Sequence, residues 1–264
     1  MRLLANGITL NYEVFGDSGP WVVLSHSLMC DLTMWGAQID ALKNHFRVLA
    51  FDTRGHGASE APDAPYTLDQ LAVDVKELLD NLEINSPHWV GLSMGGMIGM
   101  VYAIQFPNSF ASLTLCDTTS RMPLEVQPAW RERIDIAKAE GMKALVPGTM
   151  ERWFTGSFLS EPRPELKFIS TLIEKTPVNG YVGCCHAISQ INCTDRLGEI
   201  QVPIKIMVGD SDVGTPVSMS KEIQAATHGS SLTIIEGASH LSNVEQPQQF
   251  NKALLDFLKE QSVR

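Results

Sequence analysis

Short apolar segments alternate with segments of helical periodicity at both ends of this chain, and this alternation restricts the fold more than any other feature. The apolar segments have the length and composition of buried strands, and they lie at residues 21–24, 46–51, 89–92, 113–116, 204–208 and 232–235. Short apolar stretches around the turn signal Asn6-Gly7 predict a further hairpin. Because strands separated by helices form parallel sheets, we predict an α/β fold with an eight-stranded, mostly parallel sheet flanked by helices.

The middle of the chain lacks this alternation. Residues 119–200 have helical periodicity, with predicted helices at residues 130–139, 142–154, 165–174 and 180–191 that several prolines interrupt. Strand character returns near residue 204, so the helical stretch is an insertion into the α/β unit. We predict a core formed by residues 1–118 and 201–264, with residues 119–200 as a helical cap inserted after the sixth strand.

The charge of the chain excludes two classes of partner. Its 264 residues include 20 basic and 30 acidic side chains, for a formal charge of −10. Nucleic acids and anionic membranes attract the opposite sign, so we expect neither as a partner. Five cysteines without CxxC spacing predict free thiols, and not a disulfide framework or a zinc site. The start of the chain reaches a turn signal before any apolar run typical of a secretory leader. We therefore expect a cytoplasmic protein.

Residues 91–95 read Gly-Leu-Ser-Met-Gly between a predicted strand and a predicted helix. A G-x-S-x-G segment in this position is typical of a sharp turn that presents a serine hydroxyl, because a β-carbon on either side would collide with backbone. We predict Ser93 as a nucleophile. The N–H of Met94, at the start of the helix, would stabilise a developing oxyanion. We select the N–H of Leu28, in the loop after the strand at residues 21–24, as the second donor.

A serine hydroxyl becomes a good nucleophile when a base takes its proton, and seven histidines are available for this role. His240 follows the last predicted strand and precedes the last predicted helix. This order puts His240 at the same edge of the sheet as Ser93. His26 and His56 lie near that edge too, and for them we expect structural hydrogen bonds. We therefore predict His240 as the base.

The base needs a carboxylate on its second ring nitrogen, which fixes its tautomer. Asp210 and Asp212 both follow the strand at residues 204–208. Asp212 has a loop of its own that would hold the carboxylate over the sheet, whereas Asp210 would brace the turn. Asp117, at the end of the sixth strand, is a weaker candidate. We predict Asp212 as the acid.

The order Ser93, Asp212, His240 resembles that of the α/β-hydrolase fold family, and the resemblance covers essentially the whole chain. Within this family the chain is similar to the bacterial 3-oxoadipate enol-lactonases. The likeness is carried by residues 51–59, 91–96, 152–154, 180–185 and 240–247. Two positions near the predicted oxyanion loop depart from the family. His26 stands where members tend to carry Asn, and Met29 where they tend to carry Gly.

The resemblance implies hydrolysis of 3-oxoadipate enol-lactone to 3-oxoadipate through an acyl-enzyme, without a metal or organic cofactor. Such a substrate carries a free carboxylate, and an acidic protein needs a local cation to bind it. The cap offers Arg121, Arg131, Arg133, Arg152, Arg163 and Lys167. We select Arg133, since it neighbours Trp130 at the i, i+3 spacing of a helix and a guanidinium suits a carboxylate. Trp130 or Trp153 would pack on the apolar part of the substrate.

Other functions are compatible with the same residues. A broad-specificity carboxylesterase, or a cofactor-free perhydrolase of the haloperoxidase type, would use the same three side chains. A non-catalytic receptor on this scaffold would bind a small ligand under the cap. A haloalkane dehalogenase or an epoxide hydrolase is disfavoured, because the turn carries Ser93 and not an aspartate. For the enzymes, the expected partner is a small lactone or ester.

Overall fold

The structure, a computed structural model, describes residues 1–262. Its centre is a single sheet of eight strands in the order β1-β2-β4-β3-β5-β6-β7-β8. The first two strands are antiparallel to their neighbours, and the others pair in parallel. The predicted α/β fold with a mostly parallel eight-stranded sheet is therefore confirmed. The strands are β1 (Arg2–Ala5), β2 (Ile8–Phe15), β3 (Trp21–Ser25), β4 (Arg47–Phe51), β5 (His88–Leu92), β6 (Ser112–Cys116), β7 (Ile204–Gly209) and β8 (Ser231–Ile235).

Helices connect the strands from β3 onwards, and an all-helical segment lies between β6 and β7. The helices outside that segment are α1 (Gly36–Leu42), α2 (Leu68–Asn81), α3 (Met94–Gln105), α9 (Val217–Ala226), α10 (Ser242–Glu245) and α11 (Pro247–Ser262). Those of the cap are α4 (Gln127–Glu140), α5 (Val146–Trp153), α6 (Gly156–Leu159), α7 (Pro164–Lys175) and α8 (Val178–Ser189). None of the helices in residues 1–262 has the length and apolar character that crossing a membrane requires.

Local sequence signals account for most of these boundaries. The hairpin between β1 and β2 turns at Asn6 and Gly7, both with positive φ, and the Thr67 side chain caps α2 by accepting the N–H of Gln70. The structure differs from the prediction within the helical segment at residues 142–154. This segment is divided into a 3₁₀ turn (Met142–Leu145) and α5, because a proline in the first turn of a helix starts that helix more readily than it continues another.

The central strands β5 and β6 are buried along their whole length, and contacts with β5 hold the start of the helix that follows it. Every residue of β5 and β6 is buried. The Trp89 ring of β5 packs against Tyr102 of α3, with 6.4 Å between ring centroids, and its indole N–H donates to the carbonyl of Gly95 at 3.2 Å. A β-carbon on Gly99 would lie 2.3 Å from the Trp89 indole nitrogen. The first two turns of α3 therefore pack closely against the Trp89 side chain.

Helix α8 of the cap lies directly on the loop that follows β4. A β-carbon on Gly180 would lie 1.9 Å from the carbonyl oxygen of Gly55, and one on Gly183 would lie 2.5 Å from the Tyr66 ring. No other residue fits at such a distance without moving the backbone. The cap is thus joined to the core at α8 by a contact between two main chains.

Candidate active site

Ser93 lies on the tight turn between β5 and α3. Its backbone has φ 54° and ψ −113°, a conformation that costs a non-glycine residue about 1–3 kcal/mol. Two close approaches leave no room for side chains around it. A β-carbon on Gly91 would lie 2.2 Å from the carbonyl oxygen of Gly95, and one on Gly95 would lie 2.1 Å from that of Ser25. The strained turn points the Ser93 hydroxyl away from the sheet and into a cavity below the cap.

His240 and Asp212 come to this hydroxyl from the loops after β8 and β7. The His240 Nε2 lies 2.9 Å from the Ser93 Oγ, and the His240 Nδ1 lies 2.8 Å from an Asp212 carboxylate oxygen. Because the carboxylate only accepts, Nδ1–H donates to it and Nε2 is left to accept the serine proton. The structure thus brings together the three residues predicted from the sequence.

Hydrogen bonds within its own loop hold Asp212 in place. Its carboxylate accepts the N–H of Gly214 at 2.7 Å, the N–H of Thr215 at 3.0 Å and the Thr215 hydroxyl at 2.7 Å. Burial raises the pKa of Asp212, but the charge of His240 and these hydrogen bonds outweigh it and lower the pKa below the ordinary value. Conversely, burial lowers the pKa of His240, but the charge and hydrogen bond of Asp212 outweigh it and raise the pKa.

The two other aspartates that directly follow β6 and β7 have different partners. Asp117 is fully buried and accepts the N–H of Gly209 at 2.8 Å and the hydroxyl of Ser242 at 2.5 Å. Burial and the nearby charge of Asp212 raise the pKa of Asp117 well above its ordinary value. Asp210 accepts the N–H of Gly237 at 3.0 Å and so braces the turn. Neither carboxylate makes a hydrogen bond to His240, in contrast to Asp212.

Two buried imidazoles shape the loop that contains Leu28. His56 Nε2 accepts the N–H of Met29 at 3.0 Å, and His26 Nε2 accepts the N–H of Thr53 at 2.9 Å. Burial and the charge of His26 lower the pKa of His56 to about 3, so this ring stays neutral and can keep accepting. Met29 has a φ of 61°. Within residues 1–262, the N–H of Leu28 donates to no protein acceptor, and Leu28 lines the cavity beside Ser93.

The cavity above Ser93 has a volume of about 220 Å³ and carries two arginines on its cap side. Arg133 of α4 lies over the Trp130 ring at 5.1 Å, as their helical spacing predicts. Arg152 of α5 donates to the Thr149 hydroxyl at 3.2 Å. Burial and the charge of Arg133 lower the pKa of Arg152. Within residues 1–262 neither guanidinium forms an ion pair, so the two positive charges are available to an anion.

Aromatic and thioether side chains form the rest of the lining. Trp153 lies against the catalytic edge as well as in the cavity, with its ring centroid 6.2 Å from that of His240. Met97 and Met219 line the walls. Sequence spacing does not single out these methionines or Arg152, whose place in the cavity depends on how the helices of the cap pack. In residues 1–262 no group of three or more His, Cys, Asp or Glu side chains could hold a metal ion.

Comparison with known proteins places this geometry in a family. The model of the α/β-hydrolase fold matches residues 20–247. The chain belongs to this family. The hydrolase is 35% identical to 3-oxoadipate enol-lactonase 2 of Acinetobacter baylyi over 97% of its own length and 96% of that protein. Its fold and relatives make it an ester-hydrolysing enzyme.

Solved structures agree with this assignment. The enol-lactonase of Burkholderia xenovorans superposes on the hydrolase with a TM-score of 0.94 and 37% identity, covering 98% of this chain and all of that one. A thermophilic esterase of Thermogutta terrifontis, solved with malate bound, superposes with a TM-score of 0.93 and 27% identity over 99% of both chains. The likeness therefore extends through the core and the cap.

Proposed function

We propose that this enzyme hydrolyses a small carboxylated enol-lactone, 3-oxoadipate enol-lactone, to 3-oxoadipate, with Ser93, His240 and Asp212 as its catalytic triad. The observation that carries the proposal is the content of one small cavity. A serine with a hydrogen-bonded base lies at its floor, and two unpaired guanidiniums, Arg133 and Arg152, lie on its cap side. A carboxylated lactone supplies both an electrophilic carbonyl for the floor and an anion for the cap. The names of the relatives support the same substrate.

In the acylation step, Ser93 Oγ forms a bond to the lactone carbonyl carbon while its proton passes to His240 Nε2. Negative charge develops on the carbonyl oxygen, where the N–H groups of Leu28 and Met94 would stabilise it. Loss of one such donor costs about 3 kcal/mol of transition-state stabilisation. The bond between the carbonyl carbon and the ring oxygen then breaks, and the proton on His240 passes to the departing enol oxygen.

The leaving group stays attached to the acyl chain, which would favour ring closure. An enol that becomes a ketone loses its nucleophilic oxygen, so this step makes ring opening effectively irreversible. Water then gives a proton to His240 and attacks the acyl carbon, and Ser93 departs with that proton. Asp212 holds the imidazole in the productive tautomer and stabilises its positive charge.

A broad-specificity carboxylesterase is the second candidate, favoured by the methionines of the cavity. Met29, Met97 and Met219 are flexible and adapt to acyl groups of different shape. Mono-4-nitrophenyl adipate and 4-nitrophenyl hexanoate have acyl chains of equal length and differ in the terminal carboxylate. A kcat/KM at least about tenfold higher for the adipate ester favours the carboxylate-specific enzyme, because a paired carboxylate stabilises binding by more than 1 kcal/mol.

The variant Ser93→Ala tests the nucleophile directly. We expect it to lose hydrolysis of the enol-lactone and of both esters by about 10⁴-fold or more, and to lose labelling by a fluorophosphonate probe. The wild-type enzyme should label with one probe per chain. Retention of turnover by Ser93→Ala, or an unlabelled wild-type enzyme, would contradict the proposed triad.

We also propose a cytoplasmic location. All five cysteines are buried free thiols, a state that a reducing compartment maintains.

A further inference from the structure

A short segment of the cap is bonded along its length to the loop that carries the catalytic base. The Ser239 hydroxyl donates to the carbonyl of Arg152 at 3.1 Å. The Leu241 N–H donates to the carbonyl of Trp153 at 3.2 Å. Residues 152–155 of the cap and residues 239–241 of the core therefore form one hydrogen-bonded unit, which we call the base clamp.

Glu245, at the end of α10, closes the base clamp. One of its carboxylate oxygens accepts the N–H of Ser239 at 2.9 Å, and the other accepts the N–H of Thr155 at 3.1 Å. The Thr155 hydroxyl also donates to it. The side chain is buried, with 6% of the residue exposed, and within residues 1–262 no cation pairs with it. The carboxylate therefore accepts main-chain and hydroxyl donors from both sides of the clamp.

The two ends of the clamp carry groups with different tasks. Ser239 immediately precedes His240, so a shift of its N–H moves the imidazole that must reach Ser93. On the cap side, the same carboxylate holds the segment that follows Arg152, whose guanidinium faces the substrate cavity. A buried carboxylate that accepts hydrogen bonds from both segments holds them at a fixed distance. Loss of one of these bonds would leave a buried N–H without a partner, which costs more free energy than the loss of a hydrogen bond at the surface.

We propose that Glu245 is a positioning residue that sets the place of His240 relative to Arg152, so that the base and the anion-binding group move as one body. This inference rests on the proposed triad. Glu245 would act through His240 and Arg152 and would not contact the substrate itself. Removal of the carboxylate should release both ends of the clamp, and each end has its own kinetic signature.

The test compares Glu245→Gln with the wild-type enzyme on the two matched esters, with rates divided by the concentration of probe-reactive Ser93. We expect kcat to fall about tenfold for both esters, because a misplaced base slows acylation and deacylation alike. We expect KM to rise about threefold or more for the adipate ester and to stay unchanged for the hexanoate ester, since only the carboxylate contacts Arg152. A residue with a merely structural role would lower the melting temperature and change neither quantity per active site.

Three further variants keep the test decisive if Glu245→Gln does not fold. Thr155→Val removes the hydroxyl donor to Glu245, and Thr155→Ser keeps it, so the first should show a smaller version of the same split and the second should not. Asp74→Asn removes another buried carboxylate, which pairs with Arg54 far along the chain from the clamp. It should lower stability without changing the ratio of the two KM values.

Outcomes separate this inference from the proposed function. If Ser93→Ala is inactive but Glu245→Gln and Thr155→Val keep the wild-type kcat and KM ratio per active site, the inference is overturned and the triad stands. If Ser93→Ala retains its activity, the triad itself is wrong.

Discussion

On the core side of the cavity, Ser93, His240 and Asp212 form a continuous series of hydrogen bonds, and the carboxylate accepts further bonds from its own loop. On the cap side, Arg133 rests on an aromatic ring and Arg152 donates one side-chain hydrogen bond, to a threonine. The three core side chains are hydrogen-bonded to one another before a substrate arrives, whereas the two arginines of the cap hold like charges in proximity. Under the proposed function, the core would carry out the reaction and the cap would bind the anion.

Substitution of the aspartates on the core side tests this difference between core and cap most directly. Asp212→Asn should lower kcat by about 10³–10⁴-fold on both matched esters, because the amide no longer fixes the tautomer of His240 or stabilises its charge. Asp117→Asn should lower kcat by less than about tenfold, since Asp117 bonds to Gly209 and Ser242 instead of the imidazole. Steady-state kinetics of both variants give the answer. A larger loss in Asp117→Asn would make Asp117 the acid.

The pH profile tests the electrostatics of the core side. Only neutral His240 accepts the proton of Ser93, so kcat/KM should fall about tenfold per pH unit below the pKa of the imidazole. Burial lowers this pKa, but the charge and hydrogen bond of Asp212 raise it by more, so that the pKa of His240 lies above the ordinary 6.5. We expect the acidic limb measured with 4-nitrophenyl hexanoate to have its midpoint above pH 6.5. A midpoint at or below that value would mean that Asp212 does not act on His240 as a charge.

The smallest effect belongs to the cap side, and it should depend on the substrate. Arg133→Met should raise KM for mono-4-nitrophenyl adipate about tenfold and leave KM for 4-nitrophenyl hexanoate nearly unchanged, because only the carboxylate loses a partner. Arg131→Met is the matched control: Arg131 is an exposed neighbour on the same helix. It should leave both KM values at the wild-type level. Equal changes on both esters in Arg133→Met would remove Arg133 from anion binding.

Much of the fold follows from the sequence because its signals are local. The apolar runs predicted the positions of six strands along the chain, and Asn6-Gly7 predicted the first hairpin. The helices α6 and α10 were not predicted, since four residues are too few to show a period. The division of residues 142–154 was missed because the apolar spacing continues through Pro147 while the hydrogen-bond pattern does not.

The candidate site shows the same limit more clearly. Ser93, Asp212 and His240 could be selected because the ends of parallel strands meet at one edge, which makes position along the chain informative. Arg152 and Glu245 could not be selected in this way. Their roles depend on which helices of the cap lie beside which loops of the core, and neither spacing nor composition encodes that contact.

The meeting of Gly55 and Gly180 has a practical consequence for redesign. The two main chains are in direct contact there, so α8 cannot lie closer to the core. A larger residue at either position would push α8 away from the core. Engineering of the pocket for bulkier acids should therefore leave this glycine pair intact. Shortening Met97 or Met219 in the cavity wall offers extra room without disturbing this contact or the two arginines of the cap.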